Sequence, residues 1–308
     1  MPVPVLHAPR PFGPHGVCLA LGMFDGVHLG HQHLIRQARI DAHARGAATV
    51  VATFDPHPLS VVRPERAPRL LQSLPQRIAS IGAQGADAVL VLRFDEALSR
   101  QGGDAFVRGL VAGFGGLRSF TVGQGFHFGH GRSGNVPLLR TLGRELGFLV
   151  NAVAPIHIGT EIVSSTRVRG ALREGRLGLV AELLGRPYAL SGPVVKGDQL
   201  GRSIGFPTAN LDVEGLELPP HGVSAARARH AGGEFPAAVN LGLRPTLGSP
   251  APVLRFEAHL LGFEGDLYGH ELTVELVGHL RPERRFAHLE ALKAQIARDI
   301  AAARKLLS

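Results

Sequence analysis

The sequence predicts two architectures in series. An α/β half, a parallel sheet with helices on both faces, is followed by an all-β half, a small antiparallel barrel or sandwich closed by a C-terminal helix. Three observations predict this. Apolar strand-like runs alternate with helical periods from Val17 to about Leu184, the pattern of repeated βαβ units. From Tyr188 to Leu280 the pattern becomes short alternating strands between Gly/Pro turns, as in small antiparallel barrels. From Arg281 onward one apolar stripe returns at helical spacing, with Phe286, Leu289, Leu292 and Ile296 on one side. The change near Gly185-Arg-Pro187 divides the chain into 1–185 and 186–308.

Strands are expected at Val17–Leu21, Ala48–Phe54, Ala86–Phe94, Ser119–Gly123 and Phe148–Pro155, with helices between them at Gln32–Arg45, Leu74–Gln84, Gly103–Ala112 and Pro137–Leu146. In the first helix Leu34, Ile35, Ala38 and Ala42 share one face, and Gly46 is a stop signal. In the second half, Ala225–Arg229, Gly232-Gly233 and Phe235–Asn240 read as a hairpin. Val253–Leu261 alternates cleanly: Leu254, Phe256, Ala258 and Leu260 on one face, Arg255, Glu257 and His259 on the other.

Composition narrows the function. The 308 residues are 44% hydrophobic, enough to bury a core, so disorder is excluded. Cys18 is the lone cysteine and reads as a small buried hydrophobe; no disulfide framework is available, which suits a reducing, cytoplasmic setting. The first sixteen residues lack the continuous apolar segment of a signal peptide, and no apolar run reaches membrane-spanning length. The formal charge of +8 comes almost wholly from Arg, dispersed along the chain, and three Lys contribute (Lys196, Lys293, Lys305). With no Trp and two distant Tyr, a base-stacking platform is poorly supported. Small phosphorylated ligands are the expected acidic partners, with neither nucleic acid nor membrane. The sequence leaves the oligomeric state open between a monomer and a weak homo-oligomer.

The stretch around which the first half is organised is Leu21-Gly-Met-Phe-Asp-Gly-Val-His-Leu-Gly-His-Gln-His33. It puts His28 and His31 where a strand hands over to a helix N-terminus, a place whose free N–H groups and dipole favour an anion, most often phosphate. Gly22, Gly26 and Gly30 let the backbone approach a ligand closely. An imidazole there can donate to phosphate oxygens as charge builds in a transition state. A zinc site is a weaker rival, because no third ligand lies at metal spacing.

Other unusual segments fall at strand ends, where ligands bind in parallel sheets. In Thr53-Phe-Asp-Pro-His-Pro58 two prolines predict a rigid turn, without helix or sheet pairing, that displays Asp55 and His57. The segment from Val122 to Gly134 is glycine-rich and carries Phe126 and Phe128, which suit a loop over a flat or phosphorylated ligand or two plain anchors of a surface loop. In Ser164-Ser-Thr-Arg167, cap hydroxyls and an Arg at a helix start make a second phosphate site. In the second half, Gly197, Gly201 and Gly205 space a loop that runs through Arg202 and Pro207 to Thr208 and Asn210. Its amides suit phosphates, its two side-chain oxygens suit Mg²⁺, and a long barrel loop explains it nearly as well.

Taken together these residues resemble the prokaryotic bifunctional riboflavin kinase/FMN adenylyltransferase (FAD synthetase) family over nearly the whole chain. The likeness rests on Gly22-x-Phe-Asp-Gly-Val-His-x-Gly-His31, Thr53-Phe-Asp-Pro-His-Pro58, Phe126-x-Phe-Gly129 and Ser164-Ser-Thr-Arg167. In the second half it rests on Gly201-Arg-x-x-Gly-Phe-Pro-Thr-Ala-Asn210, Asn240-x-Gly-x-Arg-Pro-Thr246, Glu257-x-His259 and Asp266-Leu-Tyr-Gly269. The resemblance implies a Rossmann-like nucleotidyltransferase domain that moves AMP from ATP to FMN, then a riboflavin kinase barrel. Riboflavin, FMN and ATP are then the substrates and Mg²⁺ the cofactor. It implies that His28 and His31 act on the triphosphate, with Gly22, Phe24, Asp25, Gly26, Ser164, Ser165, Thr166 and Arg167 around the phosphates. Asp55, His57, Phe126, Phe128 and Arg244 are implied on flavin, Gly197, Gly201, Arg202, Gly205 and Pro207 on the kinase ATP, Thr208 and Asn210 on the metal, and Glu257 as general base kept ionised by Arg255 and His259. One departure raises an alternative: Gly125 stands where the family usually has Asp or Asn, which reads as a kinase with a weakened adenylyltransferase half.

Overall fold

The computed structural model describes residues 2–196, 201, 204–244 and 253–308, with backbone alone at Arg244 and Val253. Two compact units emerge, one of residues 1–69 and 74–165, the other of 70–73 and 166–308. The motif residues Gly197, Arg202, Pro245 and Thr246 lie outside the described residues, as does the side chain of Arg244.

The first unit is built on β1 (Val5–Leu6), β2 (Val17–Leu21), β3 (Ala48–Asp55), β4 (Ala88–Arg93), β5 (Leu117–Gly123) and β6 (Leu149–Val153). They form one parallel sheet in the order β1-β4-β3-β2-β5-β6. Every residue of β2 is buried because both faces of the sheet are covered. Val17, Leu19 and Leu21 pack on one side with Phe106, Leu110, Leu139 and Leu142. Ala20 packs on the other with Leu34, Ile35, Ala38 and Ile81. The helices are α1 (Leu29–Arg45), α2 (Pro58–Val62), α3 (Leu74–Gly82), α4 (Glu96–Ser99), α5 (Gly103–Phe114) and α6 (Val136–Leu146). Helix α1 buries Leu34, Ile35, Ala38 and Ala42 and ends on Gly46 in the left-handed region. A short ribbon of β7 (His157–Ile158) and β8 (Glu161–Ile162) precedes the end of the unit.

One element goes beyond the expected set and two expectations are corrected. The proline-rich N-terminus supplies an edge strand, β1, registered on Val89 and Leu90. The Asp-Pro-His-Pro turn does not exclude regular structure: Asp55 is the last residue of β3, paired with Arg93, and Pro58 opens α2 with His57 as its cap. Proline fits the first helical position because its missing N–H would be unpaired there. The closing helix begins eight residues later than its apolar stripe suggests, as described below.

In the second unit α7 (Ser165–Arg173) and α8 (Leu177–Leu184) lead into β9 (Tyr188–Val195), β10 (Ala209–Leu211), β11 (Gly222–His230), β12 (Gly233–Arg244), β13 (Val253–Leu260) and β14 (Glu271–Pro282). Among the described residues these six strands close a barrel in the order β10-β13-β12-β11-β14-β9. Its interior takes Phe256, Ala258 and Leu260 from β13, so Arg255, Glu257 and His259 fall on the outer face. Strand β14 stays paired to β11 through Arg281 and Pro282, and the last helix, α9 (Leu289–Leu307), starts only after His288, whose Nδ1 accepts from the Ala291 N–H. Phe286 therefore precedes the helix. Helix α9 packs on the outer face of β11, β12 and β14.

Candidate active sites

In the first unit the sheet order reverses at β2: β3 and β4 lie on one side, β5 and β6 on the other. The chains leaving β2 and β5 diverge there, and the crevice at their carboxyl ends is where such sheets bind ligands. The loop 22–28 leaves β2 and the loop 124–134 leaves β5.

His28 is the N-cap of α1, 6% exposed, and its Nδ1 accepts from the His31 N–H at 3.3 Å. With Nδ1 used as acceptor, the neutral ring carries its proton on Nε2, which makes that nitrogen a donor. His31 stacks on His28 with centroids 3.7 Å apart and planes 18° apart, and the Phe24 ring lies 5.1 Å from His31. A Cβ at Gly30 would stand 3.1 Å from His28 Cε1 and 3.2 Å from Nδ1, so a side chain there would press the imidazole aside by a few tenths of an ångström. The loop before it is held in a costly shape: Phe24 and Val27 have φ of 51° and 40°, beside Gly26 at 82°. A β-branched residue in that region is an outlier, persisting where its surroundings impose it.

Those surroundings are side chains that grip the loop carbonyls. Thr53 Oγ1 donates to the Met23 carbonyl (2.8 Å), Gln32 Nε2 to that of Val27 (2.9 Å) and Ser165 Oγ to that of Asp25 (2.9 Å). A further hold is Arg77 of α3, 1% exposed, which the motifs do not mark. Its Nη2 donates to the Phe54 carbonyl (3.0 Å) and stands 3.5 Å from Asp55 Oδ1, while Nη1 donates to the Met23 carbonyl (3.4 Å). Burial pulls this guanidinium below its ordinary range, and the charges of Asp25 and Asp55 work against that shift. Arg77 thus ties the loop after β2 to the end of β3. Replacing it by Met removes the Arg77 charge from beside the buried Asp25 and the guanidinium donor from the Phe54 carbonyl, while Thr53 still donates to the Met23 carbonyl. The free energy of unfolding in denaturant is expected to fall by about 1–3 kcal/mol, the range for taking the donor from a buried acceptor.

Of the remaining residues in this half, Asp55 is 40% exposed on its side chain and His57 Nδ1 accepts from the Leu59 N–H (3.1 Å). Phe128 is buried against Phe106 (centroids 5.9 Å apart), so it anchors the β5 loop from below. Phe126, half-buried and stacked on Phe128 at 5.8 Å, is the ring of the pair nearer the surface. Ser164 precedes α7, and Ser165, Thr166 and Arg167 are its first three residues. A Cβ built at Gly125 meets nothing within 4 Å, so a larger side chain would fit there.

In the second unit Asn210, Glu257 and Asn240 face one another across β10, β13 and β12. Directly opposed residues of an antiparallel pair point to the same face, so these three form one polar row on the outside of the barrel. Between this face and α9 lies a cavity of about 580 Å³, reached by Glu257, Asn240, Thr208 and His259 from the barrel side and by Leu292 and Ile296 from the helix. A second cavity of about 450 Å³ is lined by Pro207, Phe263, Asp266 and Tyr268, and Thr208 borders both. Two chambers that share a hydroxyl wall suit two substrates that react with each other.

The approach to that wall is shaped by the backbone. The Phe206 N–H donates to the Gly201 carbonyl (2.8 Å), and a Cβ at Gly201 would fall 2.3 Å from the Phe206 carbonyl oxygen, so only Gly fits. Gly205 is left-handed, with φ of 91°. The Pro207 carbonyl accepts from His259 Nδ1 at 2.7 Å, which fastens the segment to β13. Asn210 is 5% exposed, and among the described residues its Oδ1 has no hydrogen-bond partner. A buried acceptor left so is costly unless a ligand completes it, and amide and hydroxyl oxygens are the donors Mg²⁺ prefers. Among the described residues no group of three His, Cys, Asp or Glu could hold a metal by itself; phosphate oxygens would have to complete the shell.

Residues 13–167 match the family of FAD synthetase and residues 184–307 that of riboflavin kinase. A bifunctional riboflavin kinase/FMN adenylyltransferase of Pseudomonas fluorescens is 41% identical over 98% of this chain and 96% of its own length. The chain belongs to the bifunctional riboflavin kinase/FMN adenylyltransferase family. A member from Escherichia coli K12 is 39% identical over 94% of this chain and 92% of its own, and one from Haemophilus influenzae 34% over 94% of each. The alternative raised by Gly125, a family member with an impaired adenylyltransferase half, finds no support in these matches. A solved structure from Streptococcus pneumoniae described as a macrolide-efflux protein has the same fold, with a TM-score of 0.83 over 99% of each chain; at 24% identity that likeness concerns the fold alone. Among the described residues no helix is long and apolar enough to cross a membrane.

Proposed function

We propose that the two halves divide one synthesis. Residues 186–308 phosphorylate riboflavin with ATP to give FMN, and residues 1–185 join FMN to the adenylyl group of a second ATP, giving FAD and pyrophosphate. The observation that carries this reading is the shared wall at Thr208. In the larger chamber Glu257 stands beside that wall, and the smaller chamber opens on its other side. Glu257 accepts the proton of the ribityl 5′-hydroxyl, whose oxygen attacks the γ-phosphorus of ATP as ADP leaves. The Oδ1 of Asn210, unpaired among the described residues, and the Thr208 hydroxyl would hold Mg²⁺. Bound there, Mg²⁺ would neutralise charge on the ATP phosphates. Asn210→Ala is therefore expected to raise the Mg²⁺ concentration needed for half-maximal FMN formation, read by titrating Mg²⁺ at fixed ATP.

In the first half an oxygen of the FMN phosphate attacks the α-phosphorus, and pyrophosphate leaves. No protein nucleophile is required, so positioning and charge stabilisation carry the step. His28 donates from Nε2 to the oxygens on which charge accumulates, with His31 stacked against it. Ser165, Thr166 and Arg167 are assigned to the leaving pyrophosphate, and Asp55, His57 and Phe126 to the flavin side. The net positive charge is assigned to these phosphorylated small molecules rather than to nucleic acid. Incubating the full chain with riboflavin, ATP and Mg²⁺ and separating the flavins by chromatography should give FMN and then FAD. FMN without FAD would overturn the two-step reading.

A further inference from the structure

We infer that Asp299 is the positioning residue for flavin recognition in the larger barrel cavity, acting through Arg281 and Arg284 on Phe286. The inference rests on reading that cavity as the riboflavin site. Asp299 lies on α9, only 5% exposed, and both of its oxygens are engaged. Arg281 Nε donates to Oδ1 and Oδ2 (3.0 Å each), Arg281 Nη2 donates to Oδ2 (2.8 Å), and Gln295 Nε2 donates to Oδ1 (2.7 Å). The Gln295 Oε1 in turn accepts from Arg284 Nη2. One buried carboxylate on the helix thus fixes, directly and at one remove, the guanidinium groups of Arg281 at the end of β14 and Arg284 just after it.

Those arginines have a second contact. Their guanidinium carbons stand 5.8 Å (Arg281) and 5.0 Å (Arg284) from the centroid of the Phe286 ring, within the range of cation–π attraction. Phe286 lies after the last strand and before the helix cap His288, so neither a ladder nor a helical turn fixes it. Its place on the cavity wall depends on the two cations, and theirs depends on Asp299. The same wall includes Asp299, Arg281 and Arg284 themselves.

The geometry suits a flat aromatic ligand. Leu243 on the barrel lip and Leu289 on the helix lip are 46% and 49% exposed, and both border the cavity. A planar ring entering between them would cover both and lie against Phe286, a stacking partner of defined geometry. Glu257, on the barrel side, is left for the hydroxyl end of the same ligand. The network therefore acts on ring binding and not on phosphoryl transfer, which makes KM for riboflavin the parameter it controls.

The test uses the full chain. Asp299→Asn keeps the shape and removes the charge; losing the charge-assisted pair is expected to raise KM for riboflavin about tenfold or more. Both kcat and KM for ATP should stay within about twofold, the pattern of lost binding without lost transition-state stabilisation. Phe286→Ala should raise KM for riboflavin in the same way, and Phe286→Tyr, which keeps the ring, should restore it. FAD formation from supplied FMN reports an intact first half and is expected to be unchanged. If Asp299→Asn also abolishes that activity, the variant has misfolded and the Phe286 pair decides. An unmoved riboflavin KM in both Asp299→Asn and Phe286→Ala, or a fall confined to kcat, overturns the inference. Glu257→Gln separates this from failure of the underlying reading. If that variant still makes FMN at full rate, the cavity is not the kinase site; if it is inactive while riboflavin KM ignores Asp299 and Phe286, only the inference falls.

Discussion

His28→Asn is expected to lower FAD formation from FMN by about two to three orders of magnitude, the loss seen when a preorganised donor to a developing oxyanion is removed. Asparagine is the informative replacement because His28 does two things. Its Nδ1 caps α1 by accepting the His31 N–H, and Asn is among the best N-cap residues. The helix therefore keeps its cap, and the thermal midpoint should move little. What disappears is the imidazole Nε2–H and the surface on which His31 stacks at 3.7 Å. FMN formation should be unaffected, because Glu257 and both cavities belong to the other compact unit. Chromatography with FMN and then riboflavin as the starting flavin reads both steps in one preparation. Equal loss of both products would mean that the histidine pair serves the fold and not the transfer.

The contrast between His28 and Arg77 shows what a sequence displays and what it hides. The histidines announce themselves through glycine spacing at a strand-to-helix junction, a purely local signal. Arg77 is one arginine among many in the chain, and only its position four residues from Ile81, on the buried side of α3, sets it apart. Its importance comes from carbonyls 23 and 54 residues away in sequence, and no local pattern encodes such partners. The left-handed Phe24 and Val27 are hidden for the same reason: tertiary contacts impose a backbone that their side chains disfavour. Elements follow the same division. The buried face of α1 and the in–out alternation of β13 are periodic and were legible. The two-residue β1 is too short to have a period. Phe286 extends the helical stripe of Leu289, Leu292 and Ile296 by one turn, but the pairing of Arg281 and Pro282 with β11 keeps that segment in the sheet. Periodicity gives a helix its face; long-range pairing decides where it starts.

Glu257→Gln is expected to reduce FMN formation by about 10²- to 10⁴-fold, the contribution of a positioned general base, while riboflavin still binds. The amide preserves the size of the side chain and its place in the row with Asn210 and Asn240, but it cannot take up the hydroxyl proton. FAD formation from supplied FMN should match that of the unaltered chain. The pair of variants then permits a stronger test than either alone. His28→Asn makes FMN and cannot finish; Glu257→Gln can finish and cannot start. Mixed in one tube with riboflavin and ATP, they should produce FAD at a rate limited by FMN passing through solution, and dilution of both proteins should slow it. Product that never appears, although each chain carries out its own remaining step, would show that FMN does not leave the chain that made it. Product that appears from either variant alone would show that the two chemistries are not confined to the residues assigned to them.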